Sequence, residues 1–370
     1  MAGTILKWLE FFLGLVIWVR VLWDGFATII LPRTVDPMSR LSGRLYRRTW
    51  TLWAAVGRRI RQPRLRLNFL AVYGPLSVMA LLVLWAGLLI LAFAMIYHRL
   101  GERFNADRGS IGFAALLYMS GSTFLTLGLG DITSSDPLAR FLILLQTGTG
   151  YIFLALIISY MPALEQAYGS REVGNMLIHA RAGRPPSAVK FLRRYTGNVG
   201  SEILRGNLRE AERWMATSLQ SHLSHPVLVL YRAQRWGESW LTSVATILDA
   251  SALLISGGDG VLLEQARITY RMGLRMLKDL TEALNLAADP RRQLRLTKDD
   301  LTEVVATVDQ SALPLSLGTR GATKLLRLVR RYDVYLTTLS AHLMIPIPSW
   351  TTPREAGQEK DASGGASCTA

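Results

Sequence analysis

Residues 126–131, Thr-Leu-Gly-Leu-Gly-Asp, place glycine at every second position of a short segment. Consecutive backbone carbonyls can face one axis only where residues alternate between ordinary and left-handed conformations, and glycine adopts the left-handed conformation at little cost. Gly128 and Gly130 lie two residues apart and supply that alternation. Rings of carbonyl oxygens can replace the water around a dehydrated potassium ion. The chemistry that this segment indicates is ion coordination by the main chain, with no covalent step.

Residues for other kinds of chemistry are sparse. Cys368 is the only cysteine, which excludes a disulfide framework and a multi-cysteine metal site. The five histidines are too scattered to suggest a metal cluster: His98, His179, His222, His225 and His342. No Gly-x-Gly-x-x-Gly follows a predicted strand, and no paired carboxylates or Ser/His/Asp arrangement stands out. We therefore predict that the protein is not an enzyme and holds no cofactor.

Two long apolar segments flank the hexapeptide. Residues 69–97 form a run of 29 without a charged side chain, and residues 141–164 form a second run of 24. A helix rises about 1.5 Å per residue, so each run can cross a hydrocarbon core of about 30 Å. We predict an outer helix over 69–97 and an inner helix over 139–165 of an all-α membrane protein.

The basic residues predict the orientation. The chain has 42 basic and 27 acidic residues, a net charge of +15, and ten arginines fall between Leu31 and Phe69. The segment between the two spans is poorer in basic residues, so the positive-inside rule places both flanks in the cytoplasm and 97–140 outside. Membrane topology and attraction to anionic lipids therefore explain the basic excess, and we predict no nucleic-acid partner.

The segment between the spans has the organisation of a pore loop. Residues 111–125 are apolar and about four helical turns long, which is too short to cross a bilayer but suits a re-entrant half-helix. The order is span, short helix, glycine-alternating hexapeptide and span. The hexapeptide resembles the potassium-channel selectivity filter, usually Thr-Val-Gly-Tyr-Gly-Asp, and the order resembles the two-transmembrane pore family over about residues 69–167.

That resemblance implies a site and an assembly. The carbonyls of Thr126, Leu127, Gly128 and Leu129 and the Thr126 hydroxyl would bind potassium, the permeant ion, in a filter that Gly130 completes. Asp131 would belong to a cation-attracting ring at the outer mouth. The carboxyl end of the pore helix would aim its negative dipole end at the ion. One loop per chain supplies a quarter of the ligands, so a homotetramer is implied.

The inner helix has three residues that could shape a gate. Gly148 and Gly150 lie close together, and Gly150 follows Asp131 by 19 residues, near the family's bending glycine. These glycines could instead serve close helix packing. Pro162 could kink the helix at its cytoplasmic end or merely end the span.

The hexapeptide also departs from the family pattern. Leu129 replaces an aromatic residue whose hydroxyl commonly ties the filter to tryptophans, and 111–125 has no tryptophan. Ser122 stands where some channels carry a buried acid. We therefore expect the filter to be held mainly by packing. A potassium-selective channel is the main hypothesis, and the alternatives are a weakly selective cation channel and a non-conducting membrane scaffold or signalling protein.

The residues before the outer helix are amphipathic or basic. Residues 1–32 are apolar but carry Lys7, Glu10, Arg20 and Asp24 within one sector of a helix, which fits either an interfacial helix or a spanning helix with a polar stripe. Arg20 and Asp24 are four apart and could pair. Residues 33–68 are predicted to be an Arg-rich cytoplasmic linker that attracts anionic lipid headgroups.

The last half of the chain differs in composition. Residues 166–350 have helical periodicity and predict a helical cytoplasmic domain whose ligand the sequence does not show. Residues 240–256 are apolar but contain Asp249, which favours a buried helix over a third span. Residues 351–370 predict a disordered tail. Six lysines against 36 arginines are typical of a GC-rich bacterial genome, so we expect a multi-pass protein of a bacterial plasma (inner) membrane.

Overall fold

The computed structural model describes residues 2–29, 41–100, 103–106, 111–195, 197–233, 235, 238–288, 294–309, 315 and 317–350. The tail predicted for 351–370 and parts of 33–68 and 97–140 lie outside these residues. The helices are α1 (Ala2–Ile29), α2 (Leu41–Arg59), α3 (Pro63–Arg99), α4 (Phe113–Phe124), α5 (Pro137–Ala182), α6 (Ala188–Arg193), α7 (Gly197–Ser224), α8 (Trp240–Gly257), α9 (Gly260–Ala283), α10 (Lys298–Asp309) and α11 (Gly318–Leu343), with a 3-10 helix at Pro226–Leu230. Two short strands, β1 (Asn105–Ala106) and β2 (Ile132–Thr133), pair antiparallel.

The chain divides into two compact units. The first comprises Met1–Gly169 with Ser221–Arg232, and the second comprises Ser170–Gln220 with Ala233–Ala370. The sequence analysis placed 221–232 within the predicted cytoplasmic domain, whereas in the structure this segment belongs to the first unit. Val227 and Leu228 of the 3-10 helix are buried in an apolar cluster that includes residues of α3 and α5, so hydrophobic burial draws this segment into the first unit.

Three of the described helices are long and apolar enough to cross a membrane: α3, α5 and α8. In α8, 89% of the apolar window is buried inside the protein, against 50% in α3 and 17% in α5. A helix covered by protein on almost all faces has no surface left for lipid. This burial agrees with the prediction of a buried helix over 240–256.

Both spanning helices extend beyond their predicted bounds. The outer helix α3 begins at Pro63, since proline suits the first helical position, and it therefore includes Arg64 and Arg66. The inner helix α5 runs to Ala182 and contains Pro162, which does not end it. A proline within a helix removes one backbone hydrogen bond, and the helix can continue past that loss.

The segment predicted as a linker over 33–68 contains a helix. Trp50, Ala54 and Gly57 of α2 are buried, and the Trp53 ring stacks on Phe69 of α3 with 4.3 Å between centroids. Apolar residues therefore recur at helical spacing between the arginines. The Arg-rich composition concealed this pattern, and only residues 60–62 separate α2 from α3.

The first helix α1 packs antiparallel along α3. Glu10 contacts the His98 ring at 2.5 Å near one end, and Asp24 accepts a hydrogen bond from the Trp85 indole at 3.0 Å nearer the other. Asp24 also accepts from the backbone amides of residues 41 and 42 at the start of α2, at 2.9 and 3.1 Å. The structure thus uses Asp24 to cap α2 and hold α3 instead of pairing it with Arg20.

The second unit packs around α8, in which residues from Trp240 to Ile255 are all buried. A buried ionic cluster ties this helix to its neighbours. The Arg295 guanidinium forms two hydrogen bonds with Asp249 of α8, at 2.8 and 3.1 Å, and one with Asp333 of α11, at 2.6 Å. These three side chains are at most 7% exposed. The cluster fixes the segment before α10 against the core of the unit.

Candidate ion-conduction site

The segment Thr126–Asp131, here called the ribbon, follows α4 and has an alternating backbone. The φ angle is positive at Thr126 (+59°), Gly128 (+58°) and Gly130 (+78°), whereas Leu127 and Leu129 stay in the ordinary region. This is the alternation that directs successive carbonyls toward a common axis. The sequence indicated it at the two glycines and did not indicate it at Thr126.

The end of α4 explains the conformation of Thr126. The Thr126 amide donates to the carbonyl of residue 123 at 3.1 Å, and the Leu127 amide donates to the carbonyl of Ser122 at 2.8 Å. This pair of bonds is the Schellman arrangement, which ends many helices with one left-handed residue. The residue is usually glycine, because a side chain costs about 1–2 kcal/mol in this conformation. The helix end therefore starts the alternation that the glycines continue.

The pore helix α4 is shorter than its prediction over 111–125. Gly112 precedes it with extended backbone, and Leu125 closes it. Its buried side chains are Leu116, Met119, Ser120, Ser122 and Phe124. The carboxyl end of α4 leads directly into the ribbon, so the negative end of the helix dipole lies at the ribbon's first residues.

Gly150 of α5 is in close contact with the end of α4. A Cβ atom built on Gly150 would lie 2.4 Å from the Phe124 carbonyl oxygen, whereas one built on Gly148 would meet nothing within 4 Å. Of the two interpretations left open for these glycines, the contact favours close packing at Gly150. It fixes α5 against α4 two residues before Thr126.

A buried set of hydrogen bonds joins α3, α4 and α5 behind the ribbon. The Gln146 amide nitrogen of α5 donates to the carbonyl and the hydroxyl of Ser120 at 2.9 and 2.7 Å. Its amide oxygen accepts from the Tyr97 hydroxyl at 2.7 Å, and the Ser120 hydroxyl donates to the Ile90 carbonyl at 2.7 Å. We call these groups the amide network, and the side chains of Tyr97, Ser120 and Gln146 are 0% exposed.

The amide network adds buried hydrogen bonds to the packing that was expected to be the main support of the filter. Sequence reasoning missed it, although one signal was available: Gln146 is the only amide side chain in the apolar run 141–164. A glutamine within a spanning helix usually bonds to a neighbouring helix.

The outer side of the ribbon is framed by polar contacts. β1 and β2 pair residue 105 with 133 and residue 106 with 132. Arg103 forms an ion pair with Asp136 at 3.0 Å, and Asp136 accepts from the Ala139 amide at 3.0 Å in the first turn of α5. That backbone amide, together with Arg103, lowers the pKa of the half-buried Asp136 carboxyl, which stabilises its charged form.

The remaining predicted residues are exposed or lie within helices. The Leu127 and Leu129 side chains are 61% and 60% exposed, and Asp131 is exposed beside Tyr118, whose hydroxyl interacts with its carboxylate. Pro162 lies in the middle of α5. Within the described part of the chain, no group of three or more His, Cys, Asp or Glu side chains is placed to hold a metal ion.

Comparison with known proteins agrees with this geometry. Residues 85–164 match the model of a family described as ion channel. The matched stretch runs from the middle of α3 through α4 and the ribbon into α5. No curated protein and no solved structure matches the chain. The protein is an all-α membrane protein, and the family match supports an ion channel.

Proposed function

We propose that the protein is a potassium-selective channel that conducts passively as a homotetramer. The carbonyls of the ribbon from Thr126 to Leu129, with the Thr126 hydroxyl, hold dehydrated potassium, Gly130 completes the column, and Asp131 attracts cations at the outer mouth. The observation that carries the proposal is the positive φ at residues 126, 128 and 130.

The homotetramer follows from the number of ligands and from the exposed apolar surface. One ribbon supplies one side of a coordination cage, and four related by symmetry close it. Only 17% of the apolar window of α5 is buried within the chain, and Leu144, Ile152 and Ile158 are 72%, 60% and 65% exposed. In the proposed assembly, lipid and the other copies cover this surface.

The same assembly gives the inner helix the role of a gate. Gly150 packs on α4, and this contact restrains the inner helix there. We therefore place the bend near the ribbon at Gly148, where no neighbour lies within 4 Å of an added Cβ. Pro162 weakens the backbone hydrogen bonding 14 residues further along α5. We assign the flexible points of the inner helix to Gly148 and Pro162.

Anionic lipids are the proposed membrane partner of α2. Its buried face packs on α3, and its exposed face carries Arg47, Arg48, Arg58 and Arg59 together with Leu52 and Val56, which are 70% and 50% exposed. A helix with exposed arginines and apolar side chains suits the membrane interface, where each basic residue contributes about 1 kcal/mol of attraction to anionic lipid. The membrane proposed is a bacterial plasma (inner) membrane.

Conduction is tested with purified protein in liposomes under a potassium gradient. We expect potassium flux and a reversal potential near the potassium equilibrium value. Gly128→Ala should abolish flux while the tetramer still assembles, because φ is +58° there and no atom lies within 4 Å of the added Cβ. The matched control is Gly169→Ala in α5, where the same methyl group also enters open space but φ is ordinary, at a residue outside the ribbon and the proposed gate.

The other outcomes discriminate between the proposals. A reversal potential unchanged when sodium replaces potassium would indicate a weakly selective cation channel. Absence of flux from an assembled wild-type protein would indicate the scaffold. Wild-type flux in Gly128→Ala would show that the ribbon does not conduct.

A further inference from the structure

We propose that Gln146 is the positioning residue of the pore and, through the amide network, sets its preference for potassium over sodium. This inference rests on the proposed function and assigns selectivity to a side chain that lies outside the ribbon. The ribbon differs from the potassium-channel filter that it resembles, in which an aromatic hydroxyl commonly ties the filter to its surroundings. Leu129 has no hydroxyl and is 60% exposed, so it cannot tie the ribbon to α4 by a hydrogen bond.

The Gln146 amide is fully used. Both donors and the acceptor are engaged, with Ser120 on one side and Tyr97 on the other. Tyr97 and Ile90, which accepts from Ser120, are seven residues apart on α3. Gln146 therefore bonds to the outer helix directly through Tyr97, and Ser120 of the pore helix links it to a second turn of the outer helix at Ile90. An amide with every group paired holds one rotamer, because any other leaves buried polar groups unpaired.

The amide network acts on the last turn of α4. Gln146 contacts Ser120, and one turn later Gly150 contacts Phe124. Both contacts join residues 26 apart in sequence, so α5 holds α4 in register at two successive turns. The last turn of α4 ends where the Thr126 and Leu127 amides form the Schellman hydrogen bonds. The position of Ser120 thereby fixes where the first ribbon carbonyls lie.

Selectivity depends on that position. A carbonyl ring favours potassium over sodium through its size and the number of its dipoles, and a looser ring can close around a smaller ion. Removing the Gln146 amide leaves the Tyr97 hydroxyl with only a 3.4 Å contact to the Leu142 carbonyl. It also removes the interhelical bonds to the Ser120 carbonyl and hydroxyl. We expect α4 to shift and the ring to admit sodium more readily.

The test measures the reversal potential of reconstituted channels with potassium on one side and sodium on the other. For Gln146→Leu we expect the sodium-to-potassium permeability ratio to rise about tenfold, which corresponds to about 1.4 kcal/mol less discrimination between the two ions. The matched control is Thr149→Val. Thr149 is also buried in α5, but its hydroxyl bonds only within the helix, to the Leu145 carbonyl at 2.8 Å. This control should keep the wild-type ratio.

A merely structural glutamine would lower the yield of assembled channels without changing the ratio of those that remain. If Gln146→Leu conducts with a wild-type ratio, the proposal is overturned. If it does not assemble, Tyr97→Phe and Ser120→Ala decide, since each removes one part of the network. A raised ratio in both supports the proposal, and a wild-type ratio in either overturns it. A wild-type protein without potassium flux would instead contradict the proposed function.

Discussion

Gly150→Ala tests whether the contact between α5 and the end of α4 is as close as the structure places it. The added methyl carbon would lie 2.4 Å from the Phe124 carbonyl oxygen, 3.3 Å from its carbonyl carbon and 3.5 Å from its Cα. All three atoms belong to the backbone, so no flexible side chain can turn aside. Either α4 or α5 must move.

The size of the movement follows from these distances. Ordinary van der Waals contact begins near 3.4 Å, so the two helices must separate by about 1 Å. Overpacking of this kind costs about 1–3 kcal/mol in a well-packed core. Phe124 is two residues before Thr126, so the displacement reaches the base of the ribbon. We expect a less stable assembly and reduced potassium flux.

The assay combines thermal unfolding in detergent, followed by size-exclusion chromatography, with liposome flux of the same preparations. Gly169→Ala is the control, because it adds the same methyl group to the same helix in open space, outside the proposed gate. Alanine favours a helix over glycine by about 1 kcal/mol, so the control should be at least as stable as wild type. Equal stability and flux in the two variants would refute the close contact. A Gly150→Ala channel of normal stability with altered opening would favour the hinge interpretation.

Three further predictions concern other parts of the chain. Arg295→Ala leaves Asp249 and Asp333 buried without their cation, so the free energy of unfolding should fall by about 3–5 kcal/mol. The control Arg267→Ala breaks an exposed ion pair with Glu264 and should lower it by under about 1 kcal/mol. Equal effects of the two variants in denaturant titrations would contradict this prediction. Burial lowers the pKa of His179 in the second unit. The contribution of His179 to stability should therefore be complete above the unfolded-state pKa of about 6.5 and decline as the pH falls below that value. If the melting temperature of His179→Leu depends on pH as that of the wild type does, His179 contributes nothing to the pH dependence. Replacing Arg47, Arg48, Arg58 and Arg59 by glutamine should abolish any difference in flux between anionic and neutral liposomes, and a difference that survives would exclude α2 as the lipid-binding element.

Local pattern accounts for most of what the sequence predicted. Uncharged runs longer than the hydrocarbon thickness indicated α3 and α5, and the apolar stretch with glycines two residues apart indicated α4 and the ribbon. These features depend on residues close together in the chain. The sequence analysis did not predict the helix within the Arg-rich segment before α3, because its aromatic and small residues are recognised as one face only where they pack against α3.

Contacts between distant residues account for the rest. The left-handed Thr126 depends on where α4 ends, and neither Tyr97 nor Ser120 carries a sign in the sequence that Gln146 will join them. The 3-10 helix at 226–230 joins the first unit by packing on residues that lie far earlier in the chain. Such pairings follow from the folded arrangement of helices, which hydropathy alone does not specify.

The most direct test of the ribbon as an ion-binding element is an experimental structure in rubidium, a potassium substitute with a strong anomalous signal. We predict an assembly of four chains with a row of rubidium peaks on its axis, each surrounded by carbonyls of Thr126, Leu127, Gly128 or Leu129. A ribbon lying away from any symmetry axis, or one whose centre is filled by the leucine side chains and holds no rubidium, would contradict the account.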